Sequence, residues 1–165
     1  LLFLHEKFSL LFMSPNSFTY SSNIKVSPAC AYNWHESKDA LIKLMPKNLI
    51  DIIKYSSIAD GNELHLEIKV FFGLFKINWI AKIENVIKEK EFSDLQIKGP
   101  FKFWHHRHAF IAAKSADECI MEDQINFILP GGLIINFLFK PLAIWNLKRM
   151  FKMRHIKLKN ALENI

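Results

Sequence analysis

Cysteine and glycine are scarce in this chain, and both shortages exclude classes of protein. Its two cysteines, Cys30 and Cys119, lie far apart without metal-ligand spacing, so we expect reduced thiols in a cytoplasmic protein, not a disulfide framework or a zinc site. None of the 5 glycines belongs to a phosphate-binding loop, and residues 130–132 are a Pro-Gly-Gly turn. Neither a cysteine nor Ser93 has the sequence context of a catalytic nucleophile, which argues against a hydrolase of that type.

Acidic residues are absent between Asp123 and Glu163, and the excess positive charge, +6 for the whole chain, lies in this interval. Its cations are Lys140, Lys148, Arg149, Lys152, Arg154, Lys157 and Lys159. The pattern predicts a helix with a basic back, which either contacts an anionic membrane surface or is simply solvated. No nucleic-acid-binding module is recognisable, and we expect no nucleic-acid partner.

Hydrophobic runs with the length and continuity of a membrane span are also lacking. The first residues are apolar but interrupted by charge, and the apolar run at 127–147 contains prolines, glycines and a lysine. We set residues 1–16 apart as an N-terminal extension, for which a start at Met13, disorder, a cleaved signal and an amphipathic anchor are alternatives. Because no Ser/Gly/Pro-rich linker divides the rest, residues 17–163 are expected to form one domain.

Apolar residues are abundant, at 50% of the chain with 15 Phe, which predicts a large apolar core or pocket. Alternating polarity and turn residues predict strands over 17–26, 50–57, 63–71, about 77–84, 91–98, 103–114 and 118–129, and capping signals predict short helices over 29–35 and 38–45. From about residue 134 the spacing becomes helical, with an apolar stripe at Ile144, Leu147, Phe151, Leu158 and Leu162. This order predicts an α+β fold in which a curved antiparallel sheet of about seven strands wraps around a long C-terminal helix.

Polar and aromatic side chains alternate through residues 92–110, on both sides of a Gly-Pro turn. On two strands, one face would carry Asp94, Gln96, Trp104, His106 and His108. Asp123 is the only charge on the apolar face of the last strand.

Three interpretations of these groups stay open. They form a buried hydrogen-bond network, they contact the polar head of a ligand, or His106 or His108 acts as acid or base with Asp94 or Asp123 as its orienting carboxylate. A metal is not expected, because His105 points away from His106 and His108 on a strand and no further His or Cys cluster lies nearby.

The central segment resembles a motif of the SRPBCC superfamily, which comprises START lipid-transfer domains, the birch-pollen-allergen group, polyketide cyclases and coenzyme Q-binding START-like proteins. The matching residues are Phe92, Asp94, Gln96, Gly99, Pro100, Phe101, Trp104, His106, His108 and Phe110, followed by Asp123, Pro130, Gly131, Phe151, Arg154 and Leu158. The similarity is greatest to an uncharacterised bacterial cyclase/dehydrase-like branch. It implies a helix-grip fold over about residues 17–162 and no particular function, since the fold hosts carriers and enzymes.

We therefore expect a protein that binds a small hydrophobic molecule, such as a lipid, quinone or polyketide-like compound, between sheet and C-terminal helix, without a cofactor. The expected ligand contacts are Trp79, Gln96, Trp104, His106, His108, Phe110, Met121, Asp123, Phe127 and Phe151. A cyclase or dehydratase is one alternative, and a structural or regulatory interaction domain with a filled core is the other. The expected location is the cytoplasm, and contact of the basic helix with a membrane surface stays an alternative to a solvated helix.

Overall fold

A computed structural model describes residues 14–46, 48–71 and 73–163. The expectations for the first 13 residues lie outside these described residues. Within them the order of elements is β1 (Asn16–Ile24), α1 (Pro28–His35), α2 (Lys38–Leu44), β2 (Ile50–Lys54), β3 (Glu63–Val70), β4 (Phe75–Ile87), β5 (Glu91–Lys98), β6 (Phe103–Ala112), β7 (Cys119–Ile128) and α3 (Gly132–Leu162). The predicted order of strands and helices is confirmed.

The strands form one antiparallel sheet of seven, in the order β1-β7-β6-β5-β4-β3-β2. The α+β fold class, with a curved sheet and a long C-terminal helix, is thereby confirmed. The edge strand β2 ends at Lys54, three residues earlier than predicted for the segment 50–57. Its pairing with β3 shifts between Ile52 and Lys54, as edge strands often do at a bulge.

Side-chain caps begin the two short helices, as the sequence predicts. Ser27 accepts a hydrogen bond from the backbone N–H of Cys30, and Pro28 occupies the first turn of α1. Ser37 accepts one from the N–H of Ala40 at the start of α2. These bonds satisfy backbone donors that have no partner inside a helix.

The long helix α3 begins at Gly132, slightly before the predicted position. Gly131 precedes it in the left-handed conformation, with φ of 93°, which glycine adopts at low cost. Only the second half of α3 buries a continuous stripe, consisting of Leu147, Phe151, His155, Leu158 and Leu162. In the first half, Asn136 alone is buried.

The core is divided because α3 covers only part of the inner face of the sheet. Phe18 on β1 and Ile125 and Phe127 on β7 pack directly against Leu147 and Phe151 of α3. The inner faces of β3 and β4 are not filled in this way, and a cavity lies between them and the helix. The fold thus places a space beside the core and not at its centre.

The two cysteines differ in environment. Both are free thiols, Cys30 exposed and Cys119 fully buried. Burial raises the pKa of Cys119 to about 11, so this thiol is protonated and unreactive at neutral pH.

Candidate functional site

The cavity between the sheet and α3 has a volume of about 700 Å³, within the range of small-molecule sites in proteins. Its floor is apolar and is formed by alternate residues of β3 and β4, namely Leu64, Leu66, Ile68, Trp79, Ala81 and Ile83. The alternation in these strands puts the same face inward along its whole length. Trp79, which the sequence analysis names as an expected ligand contact, lies on this inward face of β4.

The opening of the cavity lies along α3. Phe139, Leu142 and Met150 border the cavity and are themselves partly exposed to solvent. Nearer the C-terminus, the Lys157 ammonium donates to the carbonyl oxygens of Leu44 and Met45, at 3.5 and 3.1 Å. This contact joins α3 to the end of α2. The exposed lining residues lie before it, along the middle of α3.

One wall of the cavity is polar and carries Asp94, His106 and His108. Strand pairing sets Asp94 directly opposite His106. Asp94 Oδ2 lies 3.3 Å from His106 Nδ1 and accepts a hydrogen bond of 3.2 Å from His108 Nε2. The His108 ring stacks on Phe92 with centroids 4.4 Å apart, which fixes the plane in which it donates.

Asp123 is the buried centre of this network, behind the wall. One of its carboxylate oxygens accepts a hydrogen bond of 2.8 Å from His106 Nε2 and lies 2.8 Å from His108 Nδ1. The other accepts one of 2.7 Å from His155 Nε2 on α3. His155 Nδ1 in turn lies 2.7 Å from the Ser22 hydroxyl on β1. The network therefore connects β1, β5, β6, β7 and α3.

The electrostatics of the network favour charged groups that neutralise one another. Burial alone would lower the pKa of His106, but the Asp94 charge and the hydrogen bonds to Asp123 and Asp94 raise it above the usual 6.5. Burial alone would likewise raise the pKa of each carboxyl, yet the histidines hold the pKa of Asp94 and of Asp123 below the usual 3.8. Because both of its ring nitrogens face carboxylates, His106 is held as an imidazolium.

His35 behaves in the opposite way. Burial, followed by the charge of nearby His108, lowers the pKa of His35 to about 3. Its Nδ1 donates to the Ala31 carbonyl at 2.9 Å, and the residue borders the cavity. A neutral imidazole that donates from Nδ1 keeps Nε2 as an acceptor.

This arrangement permits two kinds of chemistry at the cavity wall. The imidazolium of His106 can donate a proton or a hydrogen bond to a polar group on a ligand, provided that this group displaces Asp94 from Nδ1 or Asp123 from Nε2. Asp94, His106 and His108 also each present a ligand atom, all within 4.8 Å of one another, so these three could hold a metal ion. In the structure, Asp94 Oδ2 contacts both His106 Nδ1 and His108 Nε2.

Gln96 closes the turn between β5 and β6. Its side-chain amide donates to the Phe101 carbonyl at 2.8 Å and accepts from the Phe101 N–H at 3.4 Å. The amide passes so close to Gly99 that a Cβ there would lie 2.3 Å from its oxygen. The Gln-Gly-Phe part of the motif therefore has a structural explanation in this turn.

The predicted ligand contacts fall into two groups. Trp79, Trp104, His106 and His108 border the cavity. Gln96, Phe110, Met121, Asp123, Phe127 and Phe151 lie outside its lining, all but Gln96 in the buried interior. Phe127 and Phe151 were expected to contact a ligand. They do not line the cavity because α3 packs against β7 at this point, so the two side chains belong to the same buried cluster.

His155 and His35 complete the polar cluster but were not predicted from the sequence. His155 occupies a position between Phe151 and Leu158 on the apolar stripe of α3, and this spacing is the signal that could have identified it. His35 ends a short helix, and its segment 34–37 also fits the SRPBCC resemblance, but that fit does not assign His35 to the cavity.

Comparison with known proteins supports the fold. No protein-family model matches the chain, and no curated protein matches it in sequence. Among solved structures, a START superfamily protein from Mycobacterium smegmatis superposes with a TM-score of 0.67 at 10% identity, covering 90% of this chain and 97% of that protein. Ara h 8.0201 superposes with a TM-score of 0.65 at 13% identity, covering 91% and 99%.

An enzyme is also among the similar structures. Norcoclaurine synthase from Thalictrum flavum, in complex with dopamine and hydroxybenzaldehyde, superposes with a TM-score of 0.69 at 13% identity, covering 96% of this chain and 92% of that one. At these identities the likeness establishes the fold. The chain has the helix-grip fold of START superfamily proteins.

Across residues 14–46, 48–71 and 73–163, no helix has the length and apolar character needed to cross a bilayer.

Proposed function

We propose that this protein binds one small hydrophobic molecule in the cavity between the sheet and α3. The observation that carries the proposal is the cavity itself, about 700 Å³ with an apolar floor and a polar wall on β5 and β6. An apolar site with a few convergent polar groups is the usual form of a small-molecule site. A space of this size does not fit the alternative of an interaction domain with a filled core.

The polar wall supports a ligand that carries at least one oxygen, as lipids, quinones and polyketide-like compounds do. Trp104 borders the cavity, and its buried indole N–H has no hydrogen-bond acceptor among the described residues. A buried donor without an acceptor costs on the order of 1–3 kcal/mol. An acceptor oxygen on the ligand that reached this donor would remove the cost.

Filling the cavity tests the proposal. Ala81 is buried and contributes to the floor, so Ala81→Phe should occupy ligand space. We expect affinity for a long-chain alcohol, measured by displacement of a fluorescent apolar probe, to fall by about tenfold or more, or ~1.4 kcal/mol. Ala112→Phe, on the exposed end of β6, is the matched control. Equal affinity in a folded Ala81→Phe variant and the control would contradict binding in this cavity.

We also propose that the protein contacts an anionic membrane surface at the end where α3 begins. Exposed apolar side chains gather at this end of the strands, which we name the apolar end and define by Phe71, Leu74, Phe75, Leu133, Ile134, Phe137 and Leu138. The pairing of Val70 with Phe75 and of Phe103 with Ile128 puts the β3–β4 turn and the start of α3 at the same end of the sheet.

Charge and position favour a bilayer as the partner of the apolar end. Exposed Lys98 and Lys140 lie there, and each cation near an anionic bilayer contributes on the order of 1 kcal/mol. The nearby acidic residues Asp51 and Glu67 are paired with lysines. Phe139 and Leu142, which border the cavity, follow the apolar end directly along α3, so a hydrophobic ligand could pass between cavity and bilayer with little exposure to water. This contact involves the first half of the helix more than its basic second half.

Acid–base catalysis is the second candidate function, favoured by the position of His106 in the cavity wall between two carboxylates. His106→Phe separates the two functions when the naturally bound molecule is incubated with the protein and analysed by mass spectrometry. A carrier should keep the molecule unchanged, with at most a gradual loss of affinity. An enzyme should convert it, and the variant should lose that turnover.

A further inference from the structure

Among the described residues that line the cavity, Arg154 is the only lysine or arginine. It lies on α3, half-buried, with its guanidinium carbon 5.1 Å from the centre of the Phe151 ring. Within the described part of the chain, no carboxylate lies within ion-pair distance of it. Asp94 is the one acidic side chain in the described lining, and it is bound by His106 and His108. Among the described lining residues, Arg154 therefore has no counter-ion, and no carboxylate is free to serve as one.

A half-buried cation beside an apolar cavity favours an anionic partner. Burial of an unpaired charge is costly, and a guanidinium has a planar set of donors that matches the two oxygens of a carboxylate. The contact with Phe151 orients the guanidinium face against an aromatic ring. The side chain is thus available to pair with a ligand inside the cavity.

We propose that the ligand is an amphipathic anion, an apolar molecule with a carboxylate at one end that pairs with Arg154. The inference rests on the proposed function, because it specifies the head group of the molecule in the same cavity. The apolar body lies on the floor formed by β3 and β4, and the carboxylate accepts hydrogen bonds from the guanidinium. Charge-assisted pairs of this kind are about twice as strong as neutral hydrogen bonds.

The test compares a saturated long-chain carboxylic acid with the alcohol and the alkyl phosphate of the same chain length, by calorimetric titration. We expect the acid to bind the wild-type protein at least about tenfold more tightly than the alcohol. Arg154→Gln should remove this preference with little effect on the alcohol, and Arg154→Lys should restore part of it. Arg149→Gln is the control, because Arg149 is exposed on the same helix and contacts Trp145 outside the cavity.

The outcomes separate the head group from the cavity. If acid and alcohol bind equally and Arg154→Gln changes neither affinity, the proposed carboxylate head group is wrong, while the proposal of a hydrophobic site is unaffected. If the wild-type protein binds the alkyl phosphate more tightly than the acid, the proposed carboxylate head group is also wrong, and a phosphate head group takes its place. If the folded wild-type protein binds none of the three compounds, both the head group and the proposed function fail.

Discussion

At the scale of single residues, the pairing of His106 with Asp94 and Asp123 makes stability depend on pH. The pKa of His106 in the folded state is raised above 6.5, so the folded state holds this proton more tightly than the unfolded state. Its contribution is fully present below about pH 6.5 and is lost as pH rises through the raised pKa.

We predict that the free energy of unfolding, measured with urea between pH 6 and 9, falls with rising pH by up to about 1.4 kcal/mol per pH unit. His106→Gln should flatten this slope, because the titrating group is removed. His105→Gln is the matched control, since His105 is the neighbour whose side chain faces away from the cavity network. A slope that persists in His106→Gln would contradict the proposed charge state of His106.

His35 should produce the opposite slope on the acid side. The pKa of His35 is lowered to about 3 in the folded state, so the unfolded state takes up a proton below about pH 6.5 while the folded state does not. Stability should therefore fall as pH decreases from about 6.5 towards 4. In His35→Phe, which keeps an aromatic ring against Phe110, urea denaturation should show a shallower acid slope. The same slope in both proteins would show that His35 is not held neutral.

Some of these residues could be identified from sequence and others could not. Asp94, His106 and His108 are brought together by strand alternation alone, which is visible in the sequence. The contact of Asp123 with His155 depends on how α3 is rotated against the sheet. A helical stripe shows that a face is buried but does not show which strand it meets.

At the scale of secondary-structure elements, the side chain of Asn136 stabilises the turn between β7 and α3 through hydrogen bonds. Its buried side chain accepts from the Leu129 N–H at 2.7 Å and donates to the carbonyls of Leu129 and Gly132, each at 2.8 Å. Asn136→Ala would leave these buried groups unpaired, so we predict a loss of about 1–3 kcal/mol in the free energy of unfolding. Asn146→Ala, at an exposed position of the same helix, should change it little. Similar values for the two variants would contradict this role.

The first half of α3 carries the prediction about membranes. Phe137 is 81% exposed and Ile134 is 74% exposed, which is unusual for large apolar side chains in a cluster. We predict that the protein co-floats with vesicles containing anionic lipid, and less with neutral vesicles or in high salt. The double variant Ile134→Glu, Phe137→Glu should lower vesicle affinity by about tenfold or more.

Ile87 provides a matched control for the vesicle experiment. It is 50% exposed but lies at the other end of β4 from the apolar end, so Ile87→Glu should float like the wild type. Two results would count against membrane contact. One is equal flotation of all three proteins. The other is self-association of the wild type that the double variant abolishes, which would make the apolar end an interface between copies of the chain.

At the scale of the whole molecule, the order of elements and the sheet could be predicted because the periods of two and 3.6 residues are distinct in this sequence. The division of the interior into core and cavity could not. The sequence predicts that Phe127 and Trp79 both face inward. In the structure, α3 packs on Phe127, whereas the cavity lies over Trp79. Which half of a curved sheet a helix covers depends on contacts between distant elements, and a single strand pattern does not contain them.

The central claim, that the cavity holds one hydrophobic molecule, is tested most directly by native mass spectrometry of the protein purified from its own cells, followed by organic extraction. We predict one bound small molecule per chain, retained by the Ala112→Phe control and lost from the Ala81→Phe variant. An empty wild-type protein that also fails to bind fatty acids, quinones and polyketides would contradict the claim.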